Sequence, residues 1–504
     1  MAERHELDTL RRRLREVDDL TAAAAVLHWD RNTFMPPGGA EARGRHLATL
    51  VRLAHERLVD PTVRASIDAL GAAPDDLTER DRDMVRVIAA DLGRAERVPS
   101  AFLGRLTASS AASFEAWKTA RATGDFAHVA PHLERTVDLS REFASFFPEA
   151  EHPADAMIDA REPGMTVASV APLLADLRRA LVPVVEVLRA APLPESVFAG
   201  RFEPEAQLRL AYAFATTLGY DPARGRQDVA PHPFATRFAH GDVRITTRVR
   251  EDDLTEALFS TLHEAGHGMY EQGVDARLDA TLLGRGASAG VHESQARLWE
   301  NLVGRSRAFW TYALPHVQRA FPDLAGVDTE AAYRAVNVVR PSTIRTDADE
   351  VTYNLHVIIR FDLEAELLEG RLAVRDLPDA WAARYESDLG ITPENHAEGA
   401  LQDVHWFSGM VGGQFQGYAL GNVLSAQFLD AARRSLGDLD DRIAQGSFED
   451  LLSWLREHVY RFGRRRSVDD LVVGATGEAM RLEPYLTYLH DKYRDLYRVE
   501  LPRA

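Results

Sequence analysis

Along almost all of this chain the apolar residues recur at spacings of three and four, and in one stretch only at a spacing of two. The first period belongs to one face of an α-helix, the second to a half-buried strand. Leu7, Leu10, Leu14, Val17 and Leu20 form the opening helical stripe over residues 3–27. Met35-Pro36-Pro37-Gly38-Gly39 then predicts a loop across 28–39. Helical patterns resume over 40–58, 76–93, 101–122, 127–146, 165–192 and 204–218. The exception lies at 242–250, where Val243, Ile245, Thr247 and Val249 alternate with Arg244, Thr246, Arg248 and Arg250. His240-Gly241 before it suits a turn. Residues 290–500 return to helical spacing, with a glycine-rich interruption at 409–421. The pattern predicts a mainly α protein holding one small β-sheet. No linker or internal repeat divides the chain, which is read as one unit over 1–504, with an N-terminal helical part (1–230) and a second part (231–504).

A strong helix signal follows the strand. Asp253 and Glu256 stand in capping-box spacing, Leu254, Leu258, Phe259, Leu262 and Met269 supply an apolar stripe, and Gly273 suits a stop. Within this helix lies His263-Glu264-Ala265-Gly266-His267. At 3.6 residues per turn, two side chains four apart project about 40° from one another, so both imidazoles can reach one metal ion. Glu264 lies beside them, where a carboxylate can take the proton of a zinc-bound water as that water attacks a carbonyl. The chain has no cysteine, so disulfides, thiolate nucleophiles and Cys-ligated metals are excluded together. A catalytic zinc needs a third protein ligand and an open position. Downstream, His292 and Glu293 both qualify, and spacing alone does not choose between them.

Charge narrows the partners. With 77 acidic against 59 basic residues the formal charge is −18, which disfavours nucleic acid. There is no apolar run long enough for a membrane span. The opening residues are charged and contain no apolar h-region, so a cytoplasmic protein is expected. Only Lys118 and Lys492 among the basic residues are lysine, which reflects base composition rather than function.

Beyond the metal motif, Trp29-Asp30-Arg31-Asn32-Thr33-Phe34-Met35-Pro36, His232-Pro233-Phe234 and Asp242-Val243-Arg244-Ile245-Thr246 recur in order with His292-Glu293-Ser294-Gln295. Ile344-Arg345-Thr346-Asp347-Ala348-Asp349 and Gly399-Ala400-Leu401-Gln402-Asp403-Val404-His405-Trp406 complete the set. Together these resemble the carboxypeptidase Taq family of zinc metallocarboxypeptidases. The resemblance implies a saddle-like helical fold with a deep groove, a homodimer, and release of single C-terminal amino acids from short peptides. It implies Glu293 as the third zinc ligand beside His263 and His267. Cobalt or manganese are substitutes that such ligands accept.

An exopeptidase must hold a free carboxylate, for which the arginine fork is suited. Arg345 is singled out by its place in the resemblance, with Arg244 in reserve on the strand. Tyr418, in the glycine-rich interruption, is the expected donor to the oxyanion, and core packing is its alternative. His232, Gln402, Asp403 and His405 are expected in the groove. Asp349 and Asp403 are the expected acceptors for the second ring nitrogen of a zinc-bound histidine. An endopeptidase on the same scaffold and a non-catalytic helical protein are the competing readings.

Overall fold

The computed structural model describes residues 2–193, 197–198 and 200–502. It is mainly helical with a single three-stranded sheet among the described residues, as the periodicities predict. The first helix, α1 (Ala2–Thr33), buries Leu10, Leu14 and Val17 on its apolar stripe. It runs through part of the segment expected as loop. Nothing in residues 28–33 breaks a helix: Trp29 continues the buried side, and Asn32 and Thr33 donate side-chain hydrogen bonds to the carbonyls of His28 and Trp29, each at 2.8 Å. The helix ends at Thr33, just ahead of Pro36 and Pro37, which cannot continue it.

The described residues fall into two compact units, each drawn from three stretches of sequence. The first contains Met1–Glu96, Ser196–Val336 and Gln427–Met480. In it, α1 packs with the helices Pro61–Gly71 and Glu79–Arg97 around Leu14, Ile67, Leu70, Met84, Ile88 and Leu92. The same core takes in Leu278 and Leu283. The sheet also belongs here, in the order β1 (Gln227–Val229), β3 (Asp242–Thr247), β2 (Ala235–Ala239). The central strand pairs parallel with β1 and antiparallel with β2. Val243 and Ile245 are wholly buried, as their alternation requires. The strand ends at Thr247 rather than 250, because β1 offers no partner beyond Val229. Thr246 and Thr247 are buried together, which breaks the period. Thr247 turns its hydroxyl onto Ser260 at 2.5 Å, tying the strand end to the next helix.

The second unit contains Arg97–Glu195, Asn337–Ala426 and Arg481–Ala504. At its centre runs a helix (Tyr353–Glu369) buried all round from Tyr353 to Phe361, with the polar Asn354, His356 and Arg360 inside. A helix apolar on only one face would not survive there. Its polar members are each hydrogen-bonded: Asn354 to Tyr485, His356 to Tyr385, and Arg360 to Asp403 and the His356 carbonyl. No described helix is long and apolar enough to cross a membrane.

Candidate metal centre

The helix α2 (Leu254–Gly273) follows β3 and begins at Asp253, whose carboxylate accepts from the Thr255 amide at 2.8 Å. The expected capping box does not close. Glu256 instead accepts from Arg248 at 2.8 Å, because the strand end carries that arginine within reach. α2 is buried along most of its length, and at Gly266 it lies directly against the helix α3 (Ala289–Arg297). A Cβ at Gly266 would lie 2.6 Å from the Gln295 carbonyl oxygen and 2.7 Å from the Ala296 Cα. Only glycine allows the backbones this close.

That approach carries Glu293 to the histidine pair. One ligand atom each from His263, His267 and Glu293 lies within 4.8 Å of the others. Glu293 Oε2 stands 3.9 Å from His263 Nε2 and 3.7 Å from His267 Nε2. Two imidazole nitrogens and one carboxylate oxygen converging on a point are the donor set of a divalent ion with an open position. The donor atom that converges with the two imidazole nitrogens is thus an oxygen of Glu293, not a nitrogen of His292. The His292 ring stacks on His267 at 4.3 Å, and its Nε2 is paired with Glu271 at 3.0 Å.

His263 is held from behind by a residue that sequence reasoning missed. Its Nδ1 is 2.9 Å from Glu300 Oε2, which leaves Nε2 for an ion. Neither Asp349 nor Asp403 plays this part. Asp349 accepts from the backbone of Arg340, Val351 and Thr352, and Asp403 is taken by two arginines. Glu300 lies in a π-helical turn (Leu298–Val303) that continues directly from α3, seven residues after Glu293. Two helical turns place it on the same side, a spacing visible in sequence only once Glu293 is known to face the metal. Irregular turns of this kind gather at functional sites.

Burial and neighbouring charges compete here. Burial would by itself raise the Glu300 carboxyl, but Arg297 and His263 outweigh it and hold the group down to about 2. For Glu264 burial prevails: the carboxyl is pushed up to about 7, with Glu293 adding to the rise and His263 opposing it. Glu264 Oε2 is buried without a hydrogen-bond partner. Burial likewise holds His267 well below the usual imidazole range, helped by His292 and His263. At His263 the opposing effect of burial is overcome by Glu293 and Glu300, and the ring is raised.

The remaining expected residues divide between the units. In the first, Arg244 lies on β3 with both arms of its fork on Asp242 at 2.8 Å, and its guanidinium sits 4.4 Å from the Trp29 ring centre. His232 is exposed in the turn before β2. In the second unit, Arg345, Gln402, His405 and Tyr418 come together. Arg345 is buried; its Nη2 donates to Asp403 at 2.7 Å and its Nη1 to the Tyr353 hydroxyl at 3.1 Å. Gln402 accepts from the Arg345 amide at 2.8 Å and donates to the Thr343 and Glu398 carbonyls. Tyr418 lies under the Arg345 guanidinium at 5.4 Å, with its hydroxyl 3.4 Å from His405 Nε2. It sits in the first turn of a helix (Gln416–Leu436) rather than in a loop, because the glycines that break the chain end at Gly413. Sequence reasoning did not find Arg360. It is wholly buried, 4.5 Å from the Trp381 ring centre, and shares Asp403 with Arg345.

Comparisons with known proteins identify the family of the chain. The family model described as carboxypeptidase Taq (M32) metallopeptidase matches residues 9–493. Thermostable carboxypeptidase 1 of Thermus thermophilus is 39% identical over 497 residues, covering 96% of this chain and 97% of that protein. Thermostable carboxypeptidase 1 of Pyrococcus furiosus is 34% identical over 478 residues, covering 94% and 95%. The crystal structure of the M32 carboxypeptidase from Deinococcus radiodurans superimposes with a TM-score of 0.96 at 49% identity, covering 98% of this chain and all of that one. A family of metallopeptidases implies a divalent metal, and the converging His263, His267 and Glu293 fit one. The chain belongs to the carboxypeptidase Taq family, metallopeptidases that act at the C-terminal end of peptides.

Proposed function

We propose that this carboxypeptidase is zinc-dependent, releases one C-terminal amino acid at a time from short peptides, and uses Glu264 as its general base. The observation that carries the reading is a buried carboxylate oxygen without a hydrogen-bond partner, Glu264 Oε2, on the helix that presents two of three converging ligand atoms. Two nitrogens and one oxygen suit zinc, with cobalt or manganese as substitutes. Zinc, when bound, supplies Lewis acidity that polarises the scissile carbonyl and acidifies the attacking water. Glu264 accepts the proton of that water and passes it to the leaving amine as the C–N bond breaks. Tyr418 donates to the oxyanion.

Arg345 is assigned to the substrate carboxylate. In support, Arg345 and Arg360 share the single carboxylate of Asp403, so this buried group carries an excess positive charge that an anion would balance. Gln402 and His405 flank it; Arg244 and His232 are separately assigned as substrate contacts. The reading extends to a cytoplasmic homodimer, for which the mass in solution is the test.

The decisive measurement follows a mixed peptide pool by mass spectrometry, as free acids and as C-terminal amides, with and without a chelator. A ladder losing one residue at a time, from free acids only and abolished by chelation, is expected. Internal cleavage, or equal cleavage of amides, overturns the single-residue reading in favour of an endopeptidase.

A further inference from the structure

A ligand carboxylate has two oxygens, and the structure treats those of Glu293 differently. Oε2 faces His263 and His267, at 3.9 and 3.7 Å from their Nε2 atoms. Oε1 faces away and accepts from Arg297 Nε at 2.7 Å. The same guanidinium extends Nη1 to Glu300 Oε2 at 3.3 Å, and that oxygen accepts from His263 Nδ1 at 2.9 Å. One largely buried side chain is thus joined directly to one ligand and, through Glu300, to a second. The spacing makes this possible: Arg297 follows Glu293 by four residues on α3 and precedes Glu300 by three.

We propose that Arg297 is the positioning residue of the metal centre, holding Glu293 to a single ligating oxygen and fixing the His263 ring through Glu300. This rests on the reading of His263, His267 and Glu293 as metal ligands. A carboxylate free to turn can present both oxygens to an ion and fill the position that a catalytic site keeps open. An arginine fork resists that rotation because it is planar and engages two acceptors at once. A lysine supplies the charge from a single point and cannot span both carboxylates.

Cobalt(II) reports the outcome, since its visible bands are intense at low coordination number and weaken as ligands are added. Wild type, Arg297→Met and Arg297→Lys are loaded with cobalt, and their spectra are compared beside the melting temperatures of the metal-free proteins. Arg297→Met is expected to weaken the bands roughly twofold or more, with Arg297→Lys between it and wild type. A purely structural role for Arg297 would lower the melting temperature and leave the spectrum of the loaded protein alone, and that result overturns the proposal. If Arg297→Met does not fold, Arg297→Lys alone decides: a wild-type spectrum in it overturns the proposal. Failure of wild type to take up cobalt would instead overturn the ligand assignment on which the proposal stands.

Discussion

Gly266 lies between the two histidines of the metal helix, and replacing it with alanine tests what holds the centre together. The added Cβ would meet the Gln295 carbonyl oxygen at 2.6 Å and the Ala296 Cα at 2.7 Å. Ordinary contact begins near ~3.5 Å, so α2 and α3 must separate by roughly 0.8 Å. Metal–ligand distances tolerate about 0.2 Å, and Glu293 rides on the helix that moves. Overpacking of this kind costs about 1–3 kcal/mol, while the better helix propensity of alanine returns about 1 kcal/mol. The metal-free protein is therefore expected to lose only about 0–2 kcal/mol. The larger effect falls on the metal: misplacing one of three ligands is expected to weaken zinc binding by about 10- to 100-fold, or ~1.4–2.7 kcal/mol. Competition with a chromophoric chelator gives the affinity, and thermal unfolding with and without metal gives the stability. Zinc affinity equal to wild type, with an unchanged metal-free melting temperature, would refute the argument that this helix contact places Glu293.

Glu264→Gln is expected to keep metal content near wild type and lower turnover by about 10²–10⁴-fold, because the amide cannot accept the proton; metal analysis beside a peptide assay checks it, and full activity would remove Glu264 as base. Arg345→Ala is expected to cut kcat/KM for a free-acid peptide by about 100-fold or more and to erase the preference over the matching amide, with Arg345→Lys rescuing only part. A retained preference, in a variant that melts like wild type, would move the clamp to another residue. Glu364 accepts the Trp406 indole N–H at 2.7 Å, and burial pushes its carboxyl up to about 7. A carboxyl raised on folding contributes fully below its unfolded pKa of about 4.5, and that contribution is lost as pH rises towards 7. Glu364→Gln should therefore gain on wild type between pH 5 and 8, by up to about 3 kcal/mol, in urea unfolding at the two ends. A difference that does not change with pH would show that burial does not keep Glu364 protonated.

How much of this was legible beforehand follows from how local each feature is. The helix from Leu254 to Gly273, the stripe of Leu10, Leu14 and Val17, and the common face of His263 and His267 depend on residues three or four apart. Backbone geometry makes such relations readable from sequence. The strand was legible in kind but not in extent, because its end is set by where β1 stops offering hydrogen bonds. The choice of Glu293 over His292 was open to spacing, since adjacent residues differ only in which way the helix turns them. That turn is decided by the packing of α3 on Gly266. Glu300 and Arg297 acquire their places from the same helix and the π turn after it.

In the second unit, Arg345 and Asp403 are far apart in sequence, and Arg360 lies in the middle of a hydrophobic helix. Nothing local says that one carboxylate will serve both arginines. Charges excluded from water must find partners wherever the fold brings them, so those pairings belong to the tertiary structure. By itself the sequence determined the helical class, the single sheet and the histidine pair. Only the folded chain decided which carboxylates those histidines meet, because that depends on how closely two helix backbones can approach.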